Sequence, residues 1–102
     1  VSQKEVLDRS KEGIVTVLDV RPRVEFDEGH IPGAVNIPLE ELENRLSSLD
    51  KGKEVVAYCR GPYCVLSFEA VASLRKKGFK ARRFQDGFPE WKANGGNVEL
   101  TQ

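Results

Sequence analysis

Apolar positions along this chain come in short runs whose period switches between that of a strand and that of a helix. Residues 14–20, Ile14-Val15-Thr16-Val17-Leu18-Asp19-Val20, form a near-continuous aliphatic and β-branched stretch. A run that does not alternate with polar residues predicts a strand buried on both faces. Residues 54–58, Glu54-Val55-Val56-Ala57-Tyr58, repeat the pattern, while residues 34–37, closed by Pro38, and residues 80–84 predict shorter strands. Helical signals fall between them. Ser2-Gln3-Lys4-Glu5 has the S-x-x-E spacing of a capping box and opens a helix that Gly13 ends. Residues 24–28 predict a short helix ahead of Gly29. Leu39, Leu42, Leu46 and Leu49 recur at helical spacing, with Glu40, Glu41 and Glu43 near the start, where the helix dipole favours acids. Residues 64–77 predict a helix with Val65, Phe68, Val71, Ala72 and Leu74 on one broad face and Arg75, Lys76 and Lys77 at its C-terminal turn. Pro89 suits the first turn of a last short helix that carries Trp91 and ends at Gly95-Gly96.

Strands separated by helices predict an α/β fold: a mainly parallel sheet covered on both faces, within one domain spanning residues 1–102. No internal repeat or low-complexity segment interrupts it. In such sheets ligands sit beyond the carboxyl ends of the strands, which is where Cys59 falls.

Charge and composition narrow the function. Lys plus Arg and Asp plus Glu both number 16, so the net charge is zero, and binding of nucleic acid by this domain is not expected. No apolar run approaches the length of a membrane span, and no charged-then-apolar leader opens the chain. Two cysteines do not make a disulfide framework, so a reducing, cytoplasmic setting is the expectation. The chain has no methionine and starts Val1-Ser2, which reads either as a trimmed initiator or, the reading preferred, as a domain excised from a longer protein.

The candidate chemistry centres on Cys59. It ends a buried strand and opens the loop Cys59-Arg60-Gly61-Pro62-Tyr63-Cys64, with a helix directly behind. Backbone N–H groups and the positive end of a helix dipole favour thiolate over thiol and cradle an anion beside it. A cysteine at a strand end is more often inert packing. Here Gly61 and Pro62 force a tight bend and Arg60 supplies a positive charge, which together describe a site for a nucleophilic sulfur and an anionic partner.

At this point a resemblance emerges. Residues 18–38, Leu18-Asp19-Val20-Arg21-Pro22-Arg23-Val24-Glu25-Phe26-Asp27-Glu28-Gly29-His30-Ile31-Pro32-Gly33-Ala34-Val35-Asn36-Ile37-Pro38, resemble the entry motif of the rhodanese family: D-x-R, an acidic–aromatic pair, then G-H-I-x-G-A-x-N-I-P. Tyr58-Cys59 and its loop resemble the family's catalytic segment, and Asp86-Gly87-Phe88-Pro89-Glu90-Trp91 its closing G-[YF]-x-x-W. The three matches fall in order and cover nearly the whole chain. The resemblance implies a rhodanese-like three-layer fold, a central parallel five-stranded sheet flanked by helices on both faces. It also implies a sulfurtransferase in which Cys59 takes a sulfane sulfur from thiosulfate or a persulfide and passes it to cyanide or a thiol. Backbone N–H groups along the loop from Arg60 through Gly61, Tyr63 and Cys64 to Val65 would hold the persulfide, with Pro62 lining the same site, and Arg60 would help bind the anionic donor. No cofactor or metal is implied.

Loop length discriminates among relatives. Phosphatases and arsenate reductases of this superfamily wrap an oxyanion with a Cys-x5-Arg loop, but that arginine position holds Val65. The loop also departs from the commonest sulfurtransferase pattern, since Gly61 comes two residues after the cysteine and Pro62 removes one N–H from the cradle. Cys64 reads either as a small apolar residue at the helix start or as a resolving thiol that closes a disulfide on Cys59. Two cysteines with four residues between them, and no second histidine, make a poor zinc site.

Tyr58 to Val65, Gly78 to Arg83 and Pro89 to Trp91 are similar to rhodanese domains fused behind arsenic-repressor-type (ArsR) winged-helix regulators. That implies a DNA-binding domain absent from this chain. It also implies an alternative function, a sensor of sulfur, oxidant or arsenical that uses Cys59 and Cys64. His30, the only histidine, reads as part of a structural turn, and Asp19 with Arg21 as a buried pair ordering the edge of the site. The basic run from Arg75 to Arg83 reads as a solvated face, and Trp91 as core.

Overall fold

The computed structural model describes residues 8, 12–60, 65–84, 87–96 and 98–100. Its sheet contains β1 (Val15–Asp19), β2 (Val35–Asn36), β3 (Glu54–Tyr58) and β4 (Ala81–Arg83), in the order β2-β1-β3-β4. All of these pairings are parallel. β1 and β3 run side by side in full register, from Val15 opposite Glu54 to Asp19 opposite Tyr58. Four strands are present among the described residues where the family resemblance implied five. The predicted capping box lies outside them. Asp8 is helical, and Gly13, with φ of 73°, turns the chain toward β1.

The helices are α1 (Arg23–Glu28), α2 (Val65–Lys76) and α3 (Gly87–Ala93). Alternation along the strands divides the core between two faces. One face joins Leu18, Val20, Val55, Ala57 and Cys59 to Ala70, Val71 and Leu74 of α2, with Leu42 and Leu49 beside them. The other joins Val15, Val17, Val56 and Tyr58 to Phe84 and to Trp91 of α3. Burying a large aliphatic or aromatic side chain of this kind stabilises the fold by about 1.5–3 kcal/mol. Trp91 is core, as expected, and meets Phe84 edge to face at 5.9 Å.

Two sequence expectations change. The leucine stretch forms two 3-10 helices, Leu39–Glu41 and Glu43–Ser48, instead of an α-helix. Leu39 to Leu42 and Leu46 to Leu49 are three-residue steps, and in each pair the second N–H donates to the first carbonyl, at 3.1 and 3.0 Å. In α2 the buried face is Ser67, Ala70, Val71 and Leu74, at i, i+3, i+4 and i+7. Val65 and Phe68, expected inside, are 63% and 51% exposed, and Ala72 is exposed too. The small side chains of Ser67 and Ala70 let the helix approach the sheet closely, and Phe68 lies instead under the guanidinium of Arg83, 3.9 Å from its ring centre.

α2 ends where Gly78 takes φ of 90° and the Phe79 N–H reaches back to the Leu74 carbonyl at 3.0 Å, closing the turn over two buried apolar side chains. Among the described residues no helix is long and apolar enough to cross a membrane.

Candidate active site

The strand order places a switch point between β1 and β3. From β1 the chain crosses to β2 on one side, while β3 and β4 build outward on the other. Connections leaving β1 and β3 therefore diverge at the carboxyl edge of the sheet, the place where open α/β sheets form a crevice for ligands. Cys59 stands at that edge, immediately after β3, with α2 beginning at Val65.

Cys59 is 1% exposed, and its carbonyl accepts the Phe88 N–H at 2.9 Å. Its sulfur is held as a disulfide. Gly61, Pro62, Tyr63 and Cys64 lie outside the described residues, and Val65 is the first residue of α2.

Beneath the cysteine lies a buried polar network. Asp19, fully buried at the end of β1, accepts from Arg21 Nε at 3.0 and 3.1 Å, from Arg21 Nη2 at 2.7 Å and from the Arg21 backbone N–H at 2.9 Å. Tyr58, the residue before Cys59, donates its hydroxyl to Asp19 Oδ2 at 2.6 Å and accepts the Ile31 N–H at 3.2 Å. Arg21 Nη2 also donates to the Gly29 carbonyl at 2.6 Å, and its guanidinium lies 4.5 Å from the centre of the Phe88 ring. Asp19 and Arg21 thus form the buried pair expected from their place at the strand end. Burial opposes the charge on Arg21, but the hydrogen bonds and the negative charge of Asp19 outweigh it and raise the guanidinium pKa. Burial, reinforced by the charge of Asp19, pushes the Tyr58 phenol far above its ordinary range, so it stays a donor at every physiological pH.

His30 is buried, stacked on Phe26 at 3.7 Å, with Nδ1 2.7 Å from the Phe26 carbonyl and Nε2 3.0 Å from Glu99 Oε1. Backbone bonds between His30 and Glu99 at 3.0 and 2.9 Å reinforce this turn. Both ring nitrogens are occupied by structure, which fits the structural reading.

Arg60 is placed differently from its neighbours. Its guanidinium grips Glu25 of α1, with Nε at 2.9 and 3.1 Å and Nη2 at 2.6 Å from the carboxylate oxygens. The hydrogen bond from Arg60, followed by its charge, draws the Glu25 carboxyl below its ordinary pKa despite partial burial, and Glu25 raises that of Arg60 in return. Sequence reasoning singled out neither Glu25 nor the Tyr58 hydroxyl nor Phe88 for the site. All three stand in the quoted motifs, but nothing in their spacing reports which partner each meets. Among the described residues no group of three or more His, Cys, Asp or Glu side chains could hold a metal ion.

Known proteins supply the context. The chain is 46% identical over 95 residues to the HTH-type transcriptional regulator Rv0324 of Mycobacterium tuberculosis, an alignment covering 93% of this chain and 42% of the regulator. It is 31% identical over 96 residues to the thiosulfate sulfurtransferase GlpE of Coxiella burnetii, covering 92% of this chain and 87% of that enzyme. The fold superposes on the BH2092 protein from Bacillus halodurans with a TM-score of 0.91 at 31% identity, covering 99% of this chain and 76% of that one. It superposes on a rhodanese-related protein from Thermoplasma volcanium with a TM-score of 0.86 at 28% identity, covering 98% and 96%. The pattern of the rhodanese-like domain matches residues 2–94, and with the sheet order and the strand-end cysteine it establishes that this chain belongs to the rhodanese-like domain family.

Proposed function

We propose that the domain is a sulfurtransferase working through a persulfide on Cys59. The observation that carries this reading is the position of Cys59, buried at the carboxyl end of β3 on the edge of the β1–β3 crevice, in a chain similar to sulfurtransferases. A cellular thiol first reduces the Cys59 disulfide by exchange, becoming oxidised itself. The Cys59 thiolate then attacks the outer sulfur of thiosulfate; a new S–S bond forms, the old one breaks, and sulfite leaves with the bonding pair. With a persulfide donor the leaving group is a thiolate. An acceptor such as cyanide takes the terminal sulfur, forming thiocyanate and restoring the Cys59 thiolate. Loop amides, including those of Gly61, Tyr63, Cys64 and Val65, are proposed to hold the persulfide. The Asp19–Arg21–Tyr58 network fixes the strand end from which Cys59 projects.

A second reading is supported by the regulator relative and by the disulfide state of Cys59. In it, Cys59 and Cys64 form a sensor pair that responds to sulfur, oxidant or arsenical on behalf of a DNA-binding domain elsewhere in a longer cytoplasmic protein. Intact-mass spectrometry of the reduced domain separates the two. Treatment of wild type, Cys59→Ser and Cys64→Ser with thiosulfate or a low-molecular-weight persulfide is expected to add one sulfur that requires Cys59 but not Cys64 and that cyanide removes. Loss of two hydrogens or a sulfur bridge needing both cysteines makes sensing the primary role. No adduct from any donor overturns sulfur transfer.

A further inference from the structure

Glu25 and Arg60 are charged oppositely, meet in an ion pair and come from opposite sides of the switch point. Glu25 belongs to α1, on the connection leaving β1, and Arg60 to the connection leaving β3, directly after Cys59. Three hydrogen bonds of 2.6–3.1 Å occupy the Nε and Nη2 edge of Arg60. That edge offers two parallel N–H groups, the geometry a sulfonate or carboxylate needs for a bidentate bond. Glu25 therefore sits where the charged end of an anionic donor would compete for Arg60.

The pair is not a major support of the fold. The Arg60 side chain is 54% exposed and that of Glu25 29%, and exposed ion pairs contribute little to stability. Its effect falls on the charge that Arg60 presents next to Cys59 in the chain. With Glu25 bound, Arg60 presents a neutral pair to an incoming ligand; with Glu25 removed, it presents a full positive charge.

Building on the sulfur-transfer reading, we infer that Glu25 is a specificity-determining residue: by holding Arg60 it disfavours the thiosulfate dianion and selects donors of lower charge, such as a small organic persulfide. Glu25 touches no reacting atom. It acts through Arg60, by competing for the guanidinium edge and by repelling a dianion.

The test compares wild type, Glu25→Gln, Arg60→Gln and the double variant, each confirmed as folded by circular dichroism, with thiosulfate and with cysteine persulfide as donors. For thiosulfate, Glu25→Gln is expected to lower KM about five- to tenfold while kcat stays within about twofold, and to steepen the loss of kcat/KM with added salt. For cysteine persulfide, kcat/KM is expected to change less than about twofold. Arg60→Gln leaves the Glu25 carboxylate uncompensated and is expected to raise the thiosulfate KM, and Glu25→Gln is expected to lose its effect in the Arg60→Gln background. An unchanged ratio of thiosulfate to persulfide kcat/KM in Glu25→Gln, or an equal fall with both donors, overturns the inference and leaves Glu25 as a loop tether, with sulfur transfer intact. Failure of wild type to accept sulfur from either donor overturns the sulfur-transfer reading, and this inference with it.

Discussion

Tyr58 joins the core to the chemistry, because the same residue that packs beside Trp91 and Phe84 carries the hydroxyl that Asp19 accepts. Tyr58→Phe keeps the ring but leaves the Ile31 N–H without its acceptor and Asp19 without one donor. The expected cost is about 1–3 kcal/mol in urea unfolding, with a secondary-structure spectrum like that of the wild type. A loss of less than a few tenths of a kcal/mol would show that the network does not hold the strand end. Glu25 gives a pH signature at the same scale. Its carboxyl pKa is lowered in the fold, chiefly by the hydrogen bond from Arg60. The pairing therefore adds stability above the unfolded-state pKa of 4.5 and loses that contribution as pH falls through the lower folded value. Carbon-detected NMR should place the Glu25 midpoint below that of an ordinary glutamate, and Arg60→Gln should return it toward the usual range. A midpoint unaffected by that substitution would mean the pair does not persist in solution.

At the scale of elements, β1 and β3 were legible because uninterrupted aliphatic runs have few other uses in a chain of this length, and Pro38 and Gly78 mark boundaries that follow from backbone chemistry. Less legible was which face of α2 turns inward. Hydropathy favours Val65 and Phe68, whereas close packing against a parallel sheet favours the small Ser67 and Ala70, and packing decides. The leucine stretch misled for a related reason, since steps of three suit both helix types until hydrogen bonding chooses. Partners distant in the chain left the weakest trace: Cys59 was found from its strand-end position, but the grip of Glu25 on Arg60 depends on two connections meeting across the sheet edge. The end of α3 offers a test of element packing. Gly96 lies against the Trp91 indole, where a Cβ would overlap Nε1, Cε2 and Cδ1. Gly96→Ala should force the ring or the turn to shift and cost about 1–3 kcal/mol, read as a lower Tm and a changed tryptophan fluorescence maximum. Retention of the wild-type Tm would mean that the turn yields freely.

For the whole molecule, the strand pairings join segments separated by at least a full crossover, as parallel sheets require. The same is true of the bonds around the crevice. Tyr58 reaches Asp19 across 39 positions, Arg60 reaches Glu25 across 35, and His30 reaches Glu99 across 69. Chain closure over such separations must be met before these contacts reward it, so folding is expected to be slow for a domain of this size. This has a consequence for the order of events. No local fragment contains both halves of the Asp19–Tyr58 link or of the Glu25–Arg60 pair, so an emerging or half-collapsed chain carries Cys59 without the bonds that fix its strand end. The anchored strand end on which Cys59 stands is therefore a property of the completed molecule and of no fragment of it.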